Sequence, residues 1–283
     1  MSTRTADKVK RGLSRSVSYL ILAAWTLFLV YSFGWILASS VSTTREIFTG
    51  KLLESGVHIQ NYIKVLTTNH LGKYFVNSLI YCVISCTGIL LLATPASYIL
   101  SRSNFRGRKI VTGIFVAGMG IPGMMTMIPL FMMFTRLGLT QNLGGLLIIY
   151  ICGGIPFTVF FLSGFFSSLP TELEEAAIID GATPFQSFRL IMMPLAQGAL
   201  VTVTVFNFLS LWADYATALI FVNDENFRTL QIGLQIVIRS MLNQGNYAGI
   251  FAGIMLVFLP TLIIYIFLSE KIVSNITAGA IKT

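Results

Sequence analysis

The chain has 283 residues, of which 55% are hydrophobic and only 11% are charged, and its mean hydropathy is +0.79. Soluble domains carry about 25% charged residues, so this composition excludes an ordinary soluble protein and indicates one that lies in a lipid bilayer. The formal net charge of +8 does not call for nucleic acid as a partner, because basic residues beside membrane spans orient a protein in its bilayer.

Six hydrophobic stretches reach or approach the ~20 apolar residues that cross a bilayer. No connection between them is long enough for a separate folded domain. The pattern therefore predicts an all-α, polytopic membrane domain with six transmembrane helices over residues 17–283, preceded by a basic cytoplasmic tail at residues 1–16. The predicted spans cover residues 17–38, 75–100, 110–134, 144–166, 198–222 and 250–268.

Six spans place both termini on the same side of the membrane. Most of the 19 Lys and Arg residues fall on that side, and the positive-inside rule then assigns it to the cytoplasm. The first span has a basic flank, but its apolar run is longer than the roughly 7–15 residues of a signal-peptide core. We therefore expect it to remain as an uncleaved membrane anchor.

The longest external connection covers residues 39–74, between the first and second predicted spans. Ile59, Tyr62, Ile63 and Leu66 recur there at helical spacing, which predicts a short amphipathic helix on the outer surface.

The third and fourth spans carry glycine and proline at residues 118–129 and 153–156. Glycine costs about 1 kcal/mol in a helix interior and proline about 3 kcal/mol, so we expect these helices to kink or partly unwind. Two explanations stay open at this point. Small residues allow close helix packing in a membrane, and interrupted helices also occur where the backbone is buried or borders a cavity.

The three cysteines, Cys82, Cys86 and Cys152, all lie within predicted spans. Neither histidine, His58 or His70, lies at membrane depth, so a metal site lacks further ligands. The sequence predicts three buried, inert thiols and no metal.

The connection between the fourth and fifth spans, residues 168–195, is acidic and helix-forming. Thr171 followed by Glu174 has the pattern of a capping box that begins a helix, and Gly181 is suited to end it. Thr183, with proline at the next position, begins a second helix. We expect a cytoplasmic helix–turn–helix.

Each helix of this connection has an apolar stripe. The small side chains of Ala176 and Ala177 leave room for another backbone to approach the first helix. From physics alone the loop either docks on another protein or folds against its own spans. The stripes are Leu173, Ala176, Ala177 and Asp180 on the first helix, and Phe185, Phe188 and Ile191 or Met192 on the second.

The motif EAAIIDGA at residues 175–182, followed by IMMP ending at Pro194, is similar to the EAA signature of ABC importer permeases, which have a MetI-like transmembrane domain. Met193 stands where that signature usually has leucine. Further stretches, among them FVNSL at residues 75–79 and TAGAIK at residues 277–282, resemble the carbohydrate-uptake branch, which includes the smaller permease subunit of the maltose importer.

The resemblance implies a multi-pass subunit in the cell membrane of a prokaryote. An extracellular or periplasmic solute-binding protein delivers the cargo to a pore formed by this chain and a second permease subunit. Two cytoplasmic subunits bind ATP and magnesium and drive transport. This chain then binds no cofactor and is no enzyme; its sequence has no G-x-x-x-x-G-K-[ST] phosphate loop.

By the same resemblance, the loop couples the ATPase to the spans, with Glu175 as the residue that anchors and orients it. The predicted coupling residues are Glu174, Glu175, Ala176, Ala177, Asp180, Gly181, Ala182 and Pro194.

Asp214 is the acidic residue that falls within a predicted span, and an ionisable group at that depth is a candidate functional site. Asn207, Trp212 and Tyr215 lie nearby in the sequence and add the amide and aromatic groups that suit a sugar. Ala213 stands where the family usually has an amide. Asp214 alternatively lies near the outer end of the span, in water or paired with a base.

The predicted cargo is an oligosaccharide or disaccharide. A polyol phosphate such as glycerol 3-phosphate is an alternative within the same branch. An ion-driven secondary transporter is an alternative from another class, but such carriers usually need intramembrane charges, and here the candidates reduce to Asp214.

Overall fold

The structure is a computed structural model that describes residues 2–140, 142–222 and 224–280. Every regular element in these ranges is helical, which confirms the all-α prediction. A π-helical turn at Phe188–Met192 joins the ninth and tenth α-helices. The α-helices are α1 (Ser2–Ser40), α2 (Thr44–Thr49), α3 (Gln60–Thr67), α4 (Leu71–Arg102), α5 (Arg108–Gly120), α6 (Gly123–Arg136), α7 (Leu143–Ser168), α8 (Glu172–Ile179), α9 (Pro184–Ser187), α10 (Met193–Leu195), α11 (Gln197–Ala213), α12 (Ala216–Phe221), α13 (Leu230–Asn243) and α14 (Tyr247–Ala280).

Four described helices are long and apolar enough to cross a membrane by themselves. The number rises to six when each of two sharply bent helix pairs is taken as one span. The bend is 100° between α5 and α6, and 72° between Pro184–Leu195 and α11. The chain is therefore a multi-pass membrane protein, and six spans require both bent pairs.

The predicted break in the third span is present. Ile121 and Pro122 have extended backbones between α5 and α6. The fourth span differs, because α7 continues as one helix through Pro156. The fourth span is therefore not unwound, whereas a kink there stays a prediction. A Cβ on Gly154 would overlap the Ile89 side chain on α4, so this glycine serves close helix packing.

Helix boundaries differ from the predictions at three places. Residues 2–16 are the start of α1 and not a separate segment, since a single glycine does not end the helix. The fifth span stops at Ala213, and the helix α12 follows after two non-helical residues. Helix α13 was not predicted, although its apolar residues recur at helical spacing and Leu230 and Val237 are buried.

Of the motif at residues 277–282, the last two residues lie outside the described part of the chain.

The chain divides into two compact units. One comprises residues 2–69 and Val237–Leu256. The predicted outer helix is present there as α3, but Ile59 and Ile63 are exposed and Val65 is the buried residue. The predicted apolar stripe is therefore largely exposed, and its position on the outer surface stays a prediction.

In the same unit, Glu46 organises the loop around α2. Its carboxylate accepts the N–H of Thr43 at 2.7 Å and both the N–H and the hydroxyl of Ser55, at 2.5 and 2.7 Å. These hydrogen bonds, led by the one from the Thr43 backbone, lower the pKa of Glu46 to about 2 because they favour the charged carboxylate.

The other unit comprises His70–Ile236 and residues 257–280, and its core lies between α4, α7 and α11. Cys82 and Cys86 are buried on α4, as predicted, whereas Cys152 on α7 is exposed. The expectation was wrong for Cys152 because it lies two residues from the buried Tyr150 and therefore on the opposite face of the helix.

Candidate functional site

Residues 168–195 form the predicted helix–turn–helix. Helix α8 ends in a tight turn at Gly181, whose φ of +83° lies in the left-handed region that glycine adopts without a Cβ penalty. The N–H of Ala182 donates to the carbonyl of Ala177 at 2.9 Å, and that of Gly181 donates to Ile178 at 3.0 Å. The turn therefore satisfies the last carbonyls of α8.

The two predicted helix starts behave differently. Thr183 forms a capping box, in which its hydroxyl accepts the N–H of Gln186 at 3.3 Å and the Gln186 side chain accepts the N–H of Thr183 at 2.8 Å. Thr171 has a helical backbone and makes no side-chain cap. The capping box predicted for Thr171 was wrong because Glu174 is engaged elsewhere.

Glu174 joins the loop to the end of α4. One carboxylate oxygen accepts the hydroxyl of Tyr98 at 2.5 Å, and the other lies 3.3 Å from Nε of Arg102. Arg102 also donates from Nη2 to the carbonyl of Leu169 at 2.6 Å. The Arg102 and Glu174 side chains are only 8% and 16% exposed, so this ion pair is shielded from water and fixes α8 against α4.

The anchoring contacts are therefore made by Glu174 rather than by Glu175, which is exposed. Glu174 and the buried Ala177 are three residues apart and share one face of α8. The sequence pattern contains both carboxylates, but the partner that distinguishes them, Arg102, is distant in the chain.

Pro194 lies at the bend between the loop and α11. Proline has no N–H to donate within a helix, and the chain accommodates it after the π-helical turn, where Met193 donates to the carbonyl of Phe188. Helix α10 then ends at Leu195, and Ala196 is fully buried at the corner. The π-turn and the proline together redirect the chain into α11.

The exposed side chains of this loop are mainly apolar or acidic, with one basic residue, Arg189, among them. Ile179 is 85% exposed and Phe185 is 66% exposed. Ala176 is exposed as well, whereas Ala177 faces the core, so the predicted first stripe is divided between the two sides of α8. We call the exposed apolar and acidic side chains of this loop the loop surface; besides Ile179, Phe185 and Ala176, it includes Leu173, Ile178, Leu190, Glu172, Glu175 and Asp180.

Asp214 occupies the break between α11 and α12. Its carboxylate accepts the Tyr150 hydroxyl at 2.8 Å and the N–H of Ala218 at 3.0 Å. It also accepts the N–H and the hydroxyl of Thr217, at 3.3 and 2.9 Å. Asp214 therefore caps α12 and ties it to α7.

The other predicted pathway residues are also engaged within the chain. The buried Asn207 amide donates to the Thr158 hydroxyl at 2.9 Å, and the Trp212 indole N–H donates to the carbonyl of Val257 at 2.9 Å. Tyr215 is half-buried beside Asp214. Direct contact between these groups and a cargo stays a prediction.

Known proteins are similar to this chain over most of its length. Residues 89–273 match the model of a family described as the binding-protein-dependent transport system inner membrane component. The chain is 31% identical to the diacetylchitobiose uptake system permease protein NgcG of Streptomyces coelicolor, over 94% of this chain and 89% of that protein.

Two further similarities cover nearly as much of the chain. The trehalose transport system permease protein SugB of Mycobacterium tuberculosis is 29% identical, over 88% of this chain and 90% of that protein. In three dimensions, a chain from the crystal structure of a bacterial ABC transporter involved in the import of the acidic polysaccharide alginate matches with a TM-score of 0.80 and 25% identity, covering 92% of this chain and 97% of that one.

Proposed function

The chain belongs to the family of binding-protein-dependent transport system inner membrane components, and on that premise we propose that it carries a disaccharide or oligosaccharide into the cytoplasm. As an ABC importer permease it is a transport subunit of a larger complex and not an enzyme. The carbohydrate cargo is supported by the relatives, because those named for diacetylchitobiose and trehalose are similar over most of the chain.

The observation that carries the coupling proposal is the loop surface. An apolar patch bordered by carboxylates would be costly on a helix pair that faced only water, and exposed patches of this kind mark interaction sites. The ion pair of Glu174 and Arg102 connects the loop to α4. A partner that moved α8 would therefore move the end of a spanning helix with it.

We assign this partner to one of two cytoplasmic subunits that bind ATP and magnesium. The proposed complex further contains a second, different permease subunit and an extracellular or periplasmic solute-binding protein. The loop side and both termini then face the cytoplasm. The basic residues on that side support this orientation through the positive-inside rule.

Exposed aromatic side chains at two places allow a matched test. Phe185 on the loop surface is 66% exposed, and Phe48 on α2 is 69% exposed. We expect Phe185→Asp to prevent co-purification of the ATP-binding subunit and to stop ATP-dependent sugar uptake, because a carboxylate in an apolar interface is costly. Phe48→Asp should leave co-purification unchanged.

Equal retention of the ATP-binding subunit by both variants, at normal membrane levels, would contradict the assignment of the loop. Sugar uptake by the purified chain alone, without ATP, would contradict the importer proposal itself. Uptake assays with radiolabelled disaccharides and with glycerol 3-phosphate then identify the cargo class.

A further inference from the structure

An open cavity of about 1550 Å³ lies between the end of α4, the first half of α5 and α7. Drug-sized ligands occupy pockets of roughly 300–1,000 Å³, so this space is larger than a compact solute needs. Ser101 and Asn104 border it at one end, next to the Arg102 that contacts Leu169 and Glu174. This end of the cavity is therefore on the same side of the unit as the coupling loop.

The loop-side end of the cavity is basic. Arg106, Arg108 and Lys109 line it, and none of the described lining residues is acidic. Arg108 is partly committed, since its guanidinium donates to the side chain of Asn104 and to the carbonyl of Ser101, each at 3.1 Å. The side chains of Arg106 and Lys109 are exposed, so a concentrated positive charge faces solvent at the cavity's end.

The rest of the cavity is mainly apolar, and the polar side chains that line it there are those of Thr112, Ser163 and Ser167. Its wall on α5 runs from Arg108 to Ala117, which corresponds to about 14 Å along the helix axis at 1.5 Å per residue. Phe160 lines the opposite wall on α7. At Gly113 and Gly164 nothing lies within 4 Å of where a Cβ would be, so both glycines leave open space along the groove.

We propose that this cavity binds an anionic phospholipid, with its phosphate between Arg106, Arg108 and Lys109 and an acyl chain along α5 and α7. The two parts of the cavity match the two parts of such a lipid: a negative headgroup meets positive charge, and hydrocarbon meets apolar side chains. A soluble phosphate would leave the apolar groove empty, and an acidic peptide would have to bury its backbone there without hydrogen-bond partners. The lipid explains both halves of the cavity.

The site adjoins the coupling loop through α4, because Arg102 follows the cavity residue Ser101 and binds Glu174. A bound lipid would hold the end of α4 and the start of α5 in place. Lipid binding would therefore act on the helix that carries the coupling loop, whichever sugar is transported. The experiment measures retained lipid and not transport. The lipid proposal can therefore fail while the proposed function holds, and the proposed function can fail while the lipid site holds.

The test uses the protein purified from membranes with the subunits that accompany it, and placed in nanodiscs of phosphatidylcholine with added phosphatidylglycerol. Native mass spectrometry then counts the phosphatidylglycerol that remains after the nanodisc is removed. We expect preferential retention of phosphatidylglycerol by the unaltered protein. Retention no higher than that of phosphatidylcholine would overturn the proposal.

The double variant Arg106→Gln/Lys109→Gln removes two charges and leaves the structural bonds of Arg108 intact. Each basic residue near a membrane surface contributes about a fivefold effect on binding to anionic lipid, so we expect retention to fall by about 30-fold. The matched control is Lys73→Gln/Arg136→Gln, which removes two exposed charges elsewhere in the same unit. Equal losses in both double variants would overturn the site.

The apolar part is tested without changing charge. Gly164→Leu fills the groove with a side chain that has room there, and we expect it to lower phosphatidylglycerol retention. Gly153→Leu is the control, because Gly153 lies on the same helix with open space around it and does not line the cavity. Unchanged retention in Gly164→Leu, or displacement of the lipid by inorganic phosphate alone, would overturn the acyl-chain assignment and with it the lipid site.

Discussion

Two carboxylates in the unit that contains His70–Ile236, those of Glu174 and Asp214, are both bound by their own chain but support different surroundings. Glu174 binds Tyr98 and Arg102 and thereby holds a helix whose other face is exposed. Asp214 binds Tyr150, Thr217 and Ala218, and its contacts close a break within the chain. The first anchors a surface that we propose contacts a partner, whereas the second completes the fold of this subunit.

The difference between Glu174 and Asp214 lies in the surface around each carboxylate. Both residues are conspicuous in the sequence, and both are bonded to their own chain. What distinguishes them is the surface that each supports: α8 presents an apolar and acidic face, and α12 is packed among Phe131, Phe134 and the helix α7. Our proposal of a contact with another subunit therefore rests on the exposed surface and not on the charge itself.

The largest effect is expected at the anchored loop. Glu174→Ala leaves the shielded guanidinium of Arg102 without its carboxylate, and breaking such a pair costs about 3–5 kcal/mol. We expect a large loss of thermal stability and of sugar uptake. Glu175→Ala, an exposed carboxylate in the same turn, should change stability by about 0.5 kcal/mol or less. Equal thermal shifts in the two variants would remove Glu174 as the anchor.

A smaller effect is expected at the break. Asp214→Ala removes the cap of α12 and leaves the Tyr150 hydroxyl without an acceptor, which together cost about 2–3 kcal/mol. If Asp214 acts only within the fold, the maximal uptake rate falls while the sugar concentration for half-maximal uptake is unchanged. Tyr150→Phe, which removes one of these bonds, should show a weaker form of the same change. An increased half-saturation concentration in Asp214→Asn, with normal stability, would instead assign sugar contact to Asp214.

The turn at Gly181 separates the direction of the loop from its anchoring, because a substitution there changes the backbone and leaves the contacts of Glu174 in place. Its φ is +83°, and a Cβ would meet no atom within 4 Å, so the cost of Gly181→Val is that of the backbone, about 1–2 kcal/mol. We expect loss of uptake with normal membrane insertion. Gly181→Asn should retain uptake, since asparagine tolerates this conformation. Normal uptake by the valine variant at normal levels would contradict a coupling role for the turn.

The smallest effect at neutral pH concerns a third carboxylate, Glu46, in the other unit. Its pKa is lowered from 4.5 to about 2 in the folded protein, so its stabilising contribution is complete above pH 4.5 and is lost as the pH falls towards 2. Pepsin cleavage near α2 should therefore increase across that range. Glu46→Gln lacks the titrating carboxylate, so the cleavage profiles of the two proteins should differ across this range, and identical profiles would contradict the prediction.

Much of this protein follows from local sequence. Hydrophobic runs predict the spans because a backbone in lipid must satisfy its own hydrogen bonds as helix. Gly181 and Thr183 predict a turn and a cap because their effects act within a few residues. The resemblance of the EAA motif at residues 175–182 to ABC importer permeases is likewise a local pattern, and the family match agrees with it.

Only the tertiary structure decided which groups those local patterns serve. Glu174 rather than Glu175 anchors the loop because Tyr98 and Arg102, more than seventy residues away, reach that carboxylate. Pro156 lies in an unbroken helix that packs closely on α4. The basic and apolar cavity exists only where α4, α5 and α7 meet. Local sequence sets what each segment can form, whereas long-range packing determines which side chains are shielded, paired or left for a partner.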